Sequence, residues 1–205
     1  MGVSASPVFT PRWLTVTNST FSHNSKGSSD LGGGISNEEE TASIADSTFI
    51  DNGGSAGNEG TLTVTNSTFT DGIINGAALA VTNCIFLNGG IFDYSGTASF
   101  KNTLAASNGS PSKNCATING GTIIDASHNI SDDNSCGFAK TGSANNGDGV
   151  NPLLSAAGLA NNGRPTETIA LDSESPAIDA IPFADCTDQA LQGSRYDLHQ
   201  RIGFY

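Results

Sequence analysis

An eight-residue stretch, Leu-Thr-Val-Thr-Asn-Ser-Thr-Phe, occurs twice in this chain, at 14–21 and again letter for letter at 62–69. Degraded copies occur elsewhere, and alignment on the phenylalanine gives five segments: LTVTNSTFSHN (14–24), ASIADSTFIDN (42–52), LTVTNSTFTDG (62–72), LAVTNCIFLNG (79–89) and ASFKNTLAASN (98–108). A unit that recurs at about 20 residues with loop insertions is typical of a solenoid, in which each unit packs only on its neighbours.

Within each unit the apolar residues alternate and then change phase at a fixed Asn or Asp. In the first unit Leu14 and Val16 are two apart, as in a strand, whereas the next large apolar residue, Phe21, is one position out of step. Asn and Asp tolerate left-handed backbone angles and bond their own backbone. Each unit is therefore predicted to contain two short strands joined by a sharp corner at this residue.

Glycine-rich stretches follow each pair of strands, and Ile35, Ile74 and Ile91 are predicted to open a third strand. Three strands per coil predict an all-β fold, a right-handed parallel β-helix with coils stacked about 4.8 Å apart. Equivalent residues of successive coils then stack on one another. The corner residues are predicted to form a hydrogen-bonded ladder (Asn18, Asp46, Asn66, Asn83, Asn102) and the phenylalanines a buried column (Phe21, Phe49, Phe69, Phe86). Asp46 differs from the amides because a carboxylate accepts hydrogen bonds but cannot donate them.

The chain is predicted to be one continuous domain in three parts. Residues 1–13 match no repeat and are interpreted as an N-terminal cap or leader, with Trp13 covering the first coil. Residues 14–108 contain the coils, and 109–205 contain degenerate coils and an irregular C-terminal cap that blocks further stacking. Within this cap, GVNPLL and TETIAL are predicted to be short strands. The alternative for 109–205 is a recognition surface built from loops.

Composition excludes several classes of partner. A net charge of −12 with only eight basic residues argues against nucleic-acid binding and against docking on anionic lipid. No stretch approaches the roughly 20 apolar residues of a membrane span. The first residues lack the basic and apolar regions of a signal peptide. A polar surface of Ser, Thr, Asn and Gly suits extracellular repetitive proteins, so an extracellular or cell-surface location is expected, with the signal peptide not present in this chain.

The four cysteines give information on whether the chain folds in an oxidising or a reducing compartment. No CxxC motif occurs, which argues against a zinc site. Cys115 and Cys136 bracket a segment rich in Gly, Asn and Asp, and are predicted to form a disulfide in an oxidising compartment. The pairing of Cys84 and Cys186 stays open, and two unpaired, partly buried thiols are one alternative.

Several stretches resemble bacterial β-helix surface proteins. VTNSTFSHN with GGGISN is similar to the repeats of bacterial polymorphic outer-membrane proteins. The carboxyl half resembles the terminal segment of bacterial choice-of-anchor β-helix proteins, through SHNISDDNSCGF (127–138), NPLL (151–154), LANNGRPTETIAL (159–171) and SPAIDAI (175–181). The resemblance covers about residues 14–189 and implies a secreted or surface-attached β-helix, with no catalytic residues to carry over. Members usually end in a strand whose cysteine could pair with Cys186, whereas Gln200 stands near that place here.

Parallel β-helices also include polysaccharide-cleaving enzymes, which use aspartates for acid–base chemistry or calcium binding. Asp132 and Asp133, with His128 nearby, form the best local candidate for catalysis. Adjacent carboxylates in a strand point to opposite faces, so they could cooperate only in a turn. The alternative interpretation is a solvated loop.

Calcium is the one cofactor that the sequence suggests, and no other is expected. Asp132, Asp133 and Asn134, or Asp148 within NNGDG (145–149), offer the oxygen ligands that calcium prefers, although no EF-hand spacing occurs. The acidic run at 38–40 and the three histidines (His23, His128, His199) are interpreted as solvated surface residues.

The main hypothesis is a non-enzymatic extracellular or cell-surface β-helix that acts as a scaffold, adhesin-like or structural module, with a carbohydrate or a host or cell-surface protein as its partner. The alternative is a polysaccharide-binding or polysaccharide-cleaving β-helix of the lyase or hydrolase kind. A groove of aligned aspartates near Lys101 or Arg164 would support the alternative, and a flat exterior of Ser, Thr and Gly would argue against it. A third expectation is a homo-oligomer formed by end-to-end or edge contact.

Overall fold

The structure is a computed structural model that describes residues 13–25, 32–107, 112–140 and 146–182. These residues are all-β, contain no helix, and wind through five coils of three strands followed by a partial sixth coil. In chain order the strands of successive coils are β1 (Trp13–Thr17), β2 (Thr20–Ser22) and β3 (Ile35–Asn37); β4 (Thr41–Ala45), β5 (Thr48–Ile50) and β6 (Ala56–Asn58); β7 (Thr61–Thr65), β8 (Thr68–Phe69) and β9 (Ile73–Asn75); β10 (Ala78–Thr82), β11 (Ile85–Leu87) and β12 (Ile91–Asp93); β13 (Thr97–Lys101), β14 (Leu104–Ala106) and β15 (Cys115–Thr117); and β16 (Thr122–Ser127) and β17 (Ile130–Ser131). Three more strands follow: β18 (Gly147–Asp148), β19 (Leu154–Ala160) and β20 (Thr168–Leu171).

Strands at equivalent positions of successive coils pair in parallel and build three sheets. Sheet A contains β1, β4, β7, β10, β13 and β16, and sheet C contains β3, β6, β9, β12 and β15. Sheet B contains β2, β5, β8, β11, β14, β17 and β18, while β19 and β20 form a separate antiparallel pair. The register of sheet A is unbroken until Phe100 and Lys101, where it shifts opposite β16. The parallel β-helix predicted from the repeat is therefore confirmed.

The predicted phenylalanine column is present. Successive rings of Phe21, Phe49, Phe69 and Phe86 stack with centroids 4.8, 4.8 and 4.9 Å apart and interplanar angles of 2°, 7° and 11°. The four rings therefore lie almost parallel to one another along the column. The column ends at Ala105, which pairs with Phe86 and leaves the last coils without a ring at this position.

A loop closes the core at its C-terminal end. Phe138 is buried in the same core cluster as the phenylalanine column and packs edge-on against Phe100, with ring centroids 5.5 Å apart. The predicted disulfide between Cys115 and Cys136 is confirmed and holds this loop against β15. This loop, residues 132–140, covers the C-terminal end of the core and is here called the plug.

The first coil is far more exposed than those that follow. Trp13 is 75% and Leu14 42% exposed, whereas Ala42, which pairs with Leu14 in the next coil, is 1% exposed. Trp13, predicted to belong to a cap over this coil, is the first residue of β1 and pairs with Thr41. The remainder of the predicted cap, residues 1–12, lies outside the described residues.

The third strand opens one residue earlier than predicted in one coil. Ile35 and Ile91 open β3 and β12, as expected, but β9 opens at Ile73, so the prediction for Ile74 was wrong. Ile73 is fully buried and pairs with Ile91 in register, which leaves Ile74 on the outer face. Two adjacent isoleucines offer no pattern that distinguishes the inward one.

The segment 150–182, here called the C-terminal strap, lies along the outer face of sheet B. Five outward residues of this sheet form one column in register: Thr48, Thr68, Ile85, Leu104 and Ile130. The apolar end of the column packs against strap residues that include Ile169, Ala177 and Ile181. The described part of the predicted cap region 109–205 therefore covers a side of the solenoid as well as its end.

The strands predicted in the strap are partly correct. TETIAL contains β20, as predicted, but the strand predicted for GVNPLL was misplaced, because β19 begins only at its last residue, Leu154. Pro152 carries no backbone N–H, and Leu153 has a left-handed φ of 49°, so neither residue suits a paired strand.

Two threonines of the sheet B column provide a matched test of the strap. The Thr48 hydroxyl donates to the Glu167 carbonyl at 2.6 Å and lies 2.8 Å from the Thr166 hydroxyl. The Thr68 hydroxyl is buried without a hydrogen-bond partner. Thr48→Val should therefore lower the free energy of unfolding by about 1–3 kcal/mol, whereas Thr68→Val should leave it unchanged or raise it by up to about 1 kcal/mol.

Urea unfolding of both variants beside the unchanged protein would measure these differences. Equal losses for the two substitutions would show that the strap does not rest on sheet B through these hydroxyl contacts.

Candidate functional site

The predicted corner ladder is present and has a direction. Its five residues, Asn18, Asp46, Asn66, Asn83 and Asn102, all have left-handed φ angles between 49° and 54°. Each amide donates to the preceding coil, with Nδ2–Oδ1 distances of 3.3, 3.0 and 3.0 Å for the pairs Asn66–Asp46, Asn83–Asn66 and Asn102–Asn83. Asp46 has no side-chain N–H that could donate to Asn18, so the ladder ends at Asp46. Among the described residues, the Asn18 side chain makes no hydrogen bond.

A second ladder, which was not predicted from the sequence, lies inside the solenoid at the last residues of four sheet C strands, β3, β6, β9 and β12. Asn37 donates to Asn58, Asn58 to Asn75, and Asn75 to Asp93, at Nδ2–Oδ1 distances of 2.8, 2.8 and 2.7 Å. All four side chains are buried. The signal in the sequence was a polar residue two positions after the first residue of each third strand, in ISN, AGN, IIN and IFD.

Asp93 terminates this inner ladder as an acceptor. Its Oδ1 accepts from Asn75 and from the Gly96 N–H, and its Oδ2 accepts from the Thr122 N–H. Both oxygens of the fully buried carboxylate are thus occupied by donors from its own coil and its neighbours. Both ladders therefore end in an aspartate at their acceptor end.

Cys84 occupies a position filled by a hydroxyl residue in other coils. Ser47, Ser67 and Thr103 donate to the backbone carbonyl two residues before, and the Cys84 thiol does the same to Thr82 at 3.2 Å. Burial raises the pKa of this thiol to about 12, so it stays neutral. Cys84 is unpaired and buried, while Cys186 lies outside the described residues.

The candidate catalytic aspartates converge on one asparagine. They follow β17 in a bend, so the opposite orientation expected in a strand does not apply. Asn114 donates from Nδ2 to Asp132 Oδ1 at 2.6 Å and from its backbone N–H to Asp133 Oδ2 at 3.0 Å. Asp132 also accepts from the Ser107 N–H, and Asp133 accepts from the Ser135 hydroxyl at 2.6 Å. These contacts tie the plug to the preceding coil.

The pKa values of two aspartates shift in opposite directions. Burial alone would raise the pKa of Asp133, but hydrogen bonds from Ser135, Asn114 and Ser131 outweigh it and hold the pKa below its usual value. Burial raises the pKa of Asp148, which the negative charges of Asp133 and Asp125 also favour, against the hydrogen bond from the Gly137 N–H. The Oδ1 atom of Asp148 is buried without a hydrogen-bond partner.

The other candidates lie apart. No group of three or more His, Cys, Asp or Glu residues in the described parts of the chain is arranged to hold a metal ion. Calcium binding at Asp132, Asp133 and Asn134, or at Asp148, stays a prediction. His23 is exposed and 3.9 Å from Asp51, and His128 is half-buried next to β17. His199 lies outside the described residues.

The outer face of sheet A carries almost no charge. Its three outward columns are Trp13, Thr41, Thr61, Ala78, Thr97 and Thr122; Thr15, Ser43, Thr63, Ala80, Ser99 and Ile124; and Thr17, Ala45, Thr65, Thr82, Lys101 and Ser127. The exposed apolar residues of this face, Trp13 and Ile124, lie in its first and last strands. Within these columns Lys101 is the single charged side chain, in a chain with 28 charged residues (8 basic and 20 acidic). Strands with one buried and one solvated face explain the alternation of burial along each of them.

The solenoid has no helix in its described residues that is long and apolar enough to cross a membrane. Comparison with known proteins found no match for the chain among protein-family models, curated protein sequences or solved structures.

The two ladder-ending aspartates are expected to respond differently to the same substitution. Asp93→Asn places an amide N–H against the Thr122 N–H and should lower the free energy of unfolding by about 1–3 kcal/mol. Asp46→Asn supplies a donor facing Asn18 and should cause no loss. Thermal unfolding of both variants checks this, and a loss at position 46 equal to that at 93 would contradict the stated ladder directions.

Asp148 and Asp133 are expected to affect stability oppositely with pH. The raised pKa of Asp148 means that its charged form opposes folding, so Asp148→Asn should raise the melting temperature near pH 7. This gain should shrink as pH falls through the folded pKa and vanish below the unfolded value of 3.8. Asp133→Asn should do the reverse, with a loss near pH 7 that disappears as pH falls through the lowered pKa. Melting temperatures between about pH 3 and 8 test both signs.

Proposed function

We propose that this protein is a non-enzymatic β-helix module of an extracellular or cell-surface protein, a scaffold whose adhesin-like contact surface is the outer face of sheet A. The observation that carries the proposal is the difference between two faces. Sheet B is covered by the C-terminal strap, whereas sheet A presents exposed Thr, Ser and Ala side chains in unbroken register over most of its length. Such a face suits contact with an extended, uncharged partner surface.

The hydrogen bonds that the aspartates accept support a structural role for these residues. Asp93 and Asp132 each accept two or more hydrogen bonds from neighbouring coils, and Asp133 fixes the plug. Carboxylates that satisfy backbone and amide donors hold the coils in register. This use accounts for these three aspartates without a catalytic role.

The partner that fits best is a neutral polysaccharide or an uncharged region of a cell-surface protein. The net charge of −12 repels acidic polymers, and sheet A offers hydroxyl groups rather than cations. The resemblance to bacterial β-helix surface proteins supports the same location.

A second candidate function, polysaccharide cleavage, is favoured by one observation. The pKa values of Asp133 and Asp148 are shifted apart, as in pairs where one carboxyl donates a proton and the other is ionised.

Incubation with neutral and acidic polysaccharides, with and without calcium, tests both functions when bound protein and new chain ends are measured together. We expect binding to a neutral polymer without new chain ends. Thr63→Glu, in the middle of sheet A, should weaken binding at least about 10-fold, a change of about 1.4 kcal/mol. Ile118→Glu adds the same charge at an exposed position after sheet C and should not change binding.

New chain ends that disappear in Asp133→Asn and Asp148→Asn would overturn the non-enzymatic proposal. Binding that survives Thr63→Glu but not Ile118→Glu would move the contact surface away from sheet A. A protein that binds neither these polymers nor cell-surface proteins would contradict the adhesin-like role.

A further inference from the structure

The first coil exposes apolar core side chains and leaves its corner amide without a hydrogen bond among the described residues. Leu14 is 42% exposed, and Val16 and Phe21 are only partly buried, although their counterparts in the next coils are fully buried. The side chain of Asn18 makes no hydrogen bond among the described residues. The N-terminal end of the solenoid therefore exposes residues that a further coil would bury.

The backbone of β1 shows the same interruption. The N–H of Asn18 bonds to the Ala45 carbonyl, which places the backbone groups of residues 14, 16 and 18 toward β4. Consecutive residues of a strand direct these groups to opposite sides, so 13, 15 and 17 direct theirs away from the solenoid. No strand of the described residues pairs with β1 on that side. An edge of this kind is a template for a further strand.

At the opposite end of the solenoid β16 is also an edge strand of sheet A, but the core there is covered. Phe138 packs on Phe100, and the Ala139 N–H donates to Asp125 of β16 at 2.8 Å. The disulfide between Cys115 and Cys136 holds this plug in place. Head-to-tail stacking, which would continue into a filament, is thus obstructed, and association through the first coil alone stops at two copies.

We propose that two copies of this chain associate head to head, through antiparallel pairing of β1 with β1 of the second copy. A two-fold axis at Thr15 pairs this residue with its own counterpart and lets residues 13, 15 and 17 satisfy their backbone groups. It sets Leu14 against Val16 of the second copy, and Trp13 against Thr17, a favourable aromatic and β-branched pair. Sheet A then continues across both copies as one surface.

The size of this contact predicts its strength. A contact confined to the end of one coil is expected to lie near the lower limit of specific interfaces, at about 1,000 Å² in total. The dimer is therefore expected to be weak and concentration-dependent, with a Kd in the range of about 1–100 μM. The proposal rests on the first coil alone and holds whether or not the protein binds polysaccharide.

Sedimentation velocity of the full chain over about 1–500 μM tests the association. The single tryptophan, Trp13, provides a second readout, because its fluorescence should shift to shorter wavelength as the dimer forms. Leu14→Glu places two like charges in the symmetric contact and should raise the Kd at least about 10-fold. Thr15→Pro removes an outward N–H and should also weaken the dimer. It leaves the backbone bonds to β4 in place and removes only the hydroxyl that accepts from Ser43 at 3.4 Å. Thr63→Glu, with the same charge change on sheet A, should leave the Kd unchanged.

A protein that stays monomeric over the whole range, with concentration-independent Trp13 fluorescence, overturns the proposal, and would show that something else, such as residues 1–12, satisfies this end. A dimer that Leu14→Glu and Thr15→Pro leave unchanged also overturns it, by placing the contact on another face. Loss of association in Thr63→Glu with no effect of the β1 variants would assign the contact to the face of sheet A.

Discussion

The buried amide ladder of Asn37, Asn58, Asn75 and Asp93 is the interaction on which the stacking of coils depends. A buried amide left without partners costs about 1–3 kcal/mol, so a slip of one residue in any coil would orphan several groups at once. The ladder thus fixes the register of sheet C, and the short loops between strands carry this register into sheet A. Apolar stacking of phenylalanines adds stability, but it is less directional and tolerates small shifts that the amides do not.

The direction of each ladder explains where the aspartates lie. An asparagine both donates and accepts, so it can be an internal member, whereas an aspartate only accepts and must be the last one. Asp46 ends one ladder on its N-terminal side and Asp93 ends the other on its C-terminal side, because the amides of the first donate toward the N-terminal coils and those of the second toward the C-terminal coils. An aspartate can therefore take the place of an asparagine only at the acceptor end of a ladder.

The repeat and its phase change were sufficient to predict the coil, the corner residues and the phenylalanine column, because each depends on local conformation or on a period in the chain. The disulfide was predicted separately, from the Gly-, Asn- and Asp-rich segment between its two cysteines. The inner ladder was missed because its residues follow glycine-rich loops of variable length, which disturb the alignment. The orientation of Asp132 and Asp133 could not be predicted, since it depends on Asn114, which belongs to the preceding coil.

The sequence by itself determined that the chain forms a stack of β coils, since units of about 20 residues with alternating apolar positions and a fixed corner bury their apolar residues by stacking on one another. Only the tertiary structure decided how the surfaces of that stack differ. The strap packs on sheet B because Ile85, Leu104 and Ile130 form an apolar column there, and this column exists only once the coils are in register. The same register leaves sheet A neutral and uncovered, and the first coil without a neighbour among the described residues.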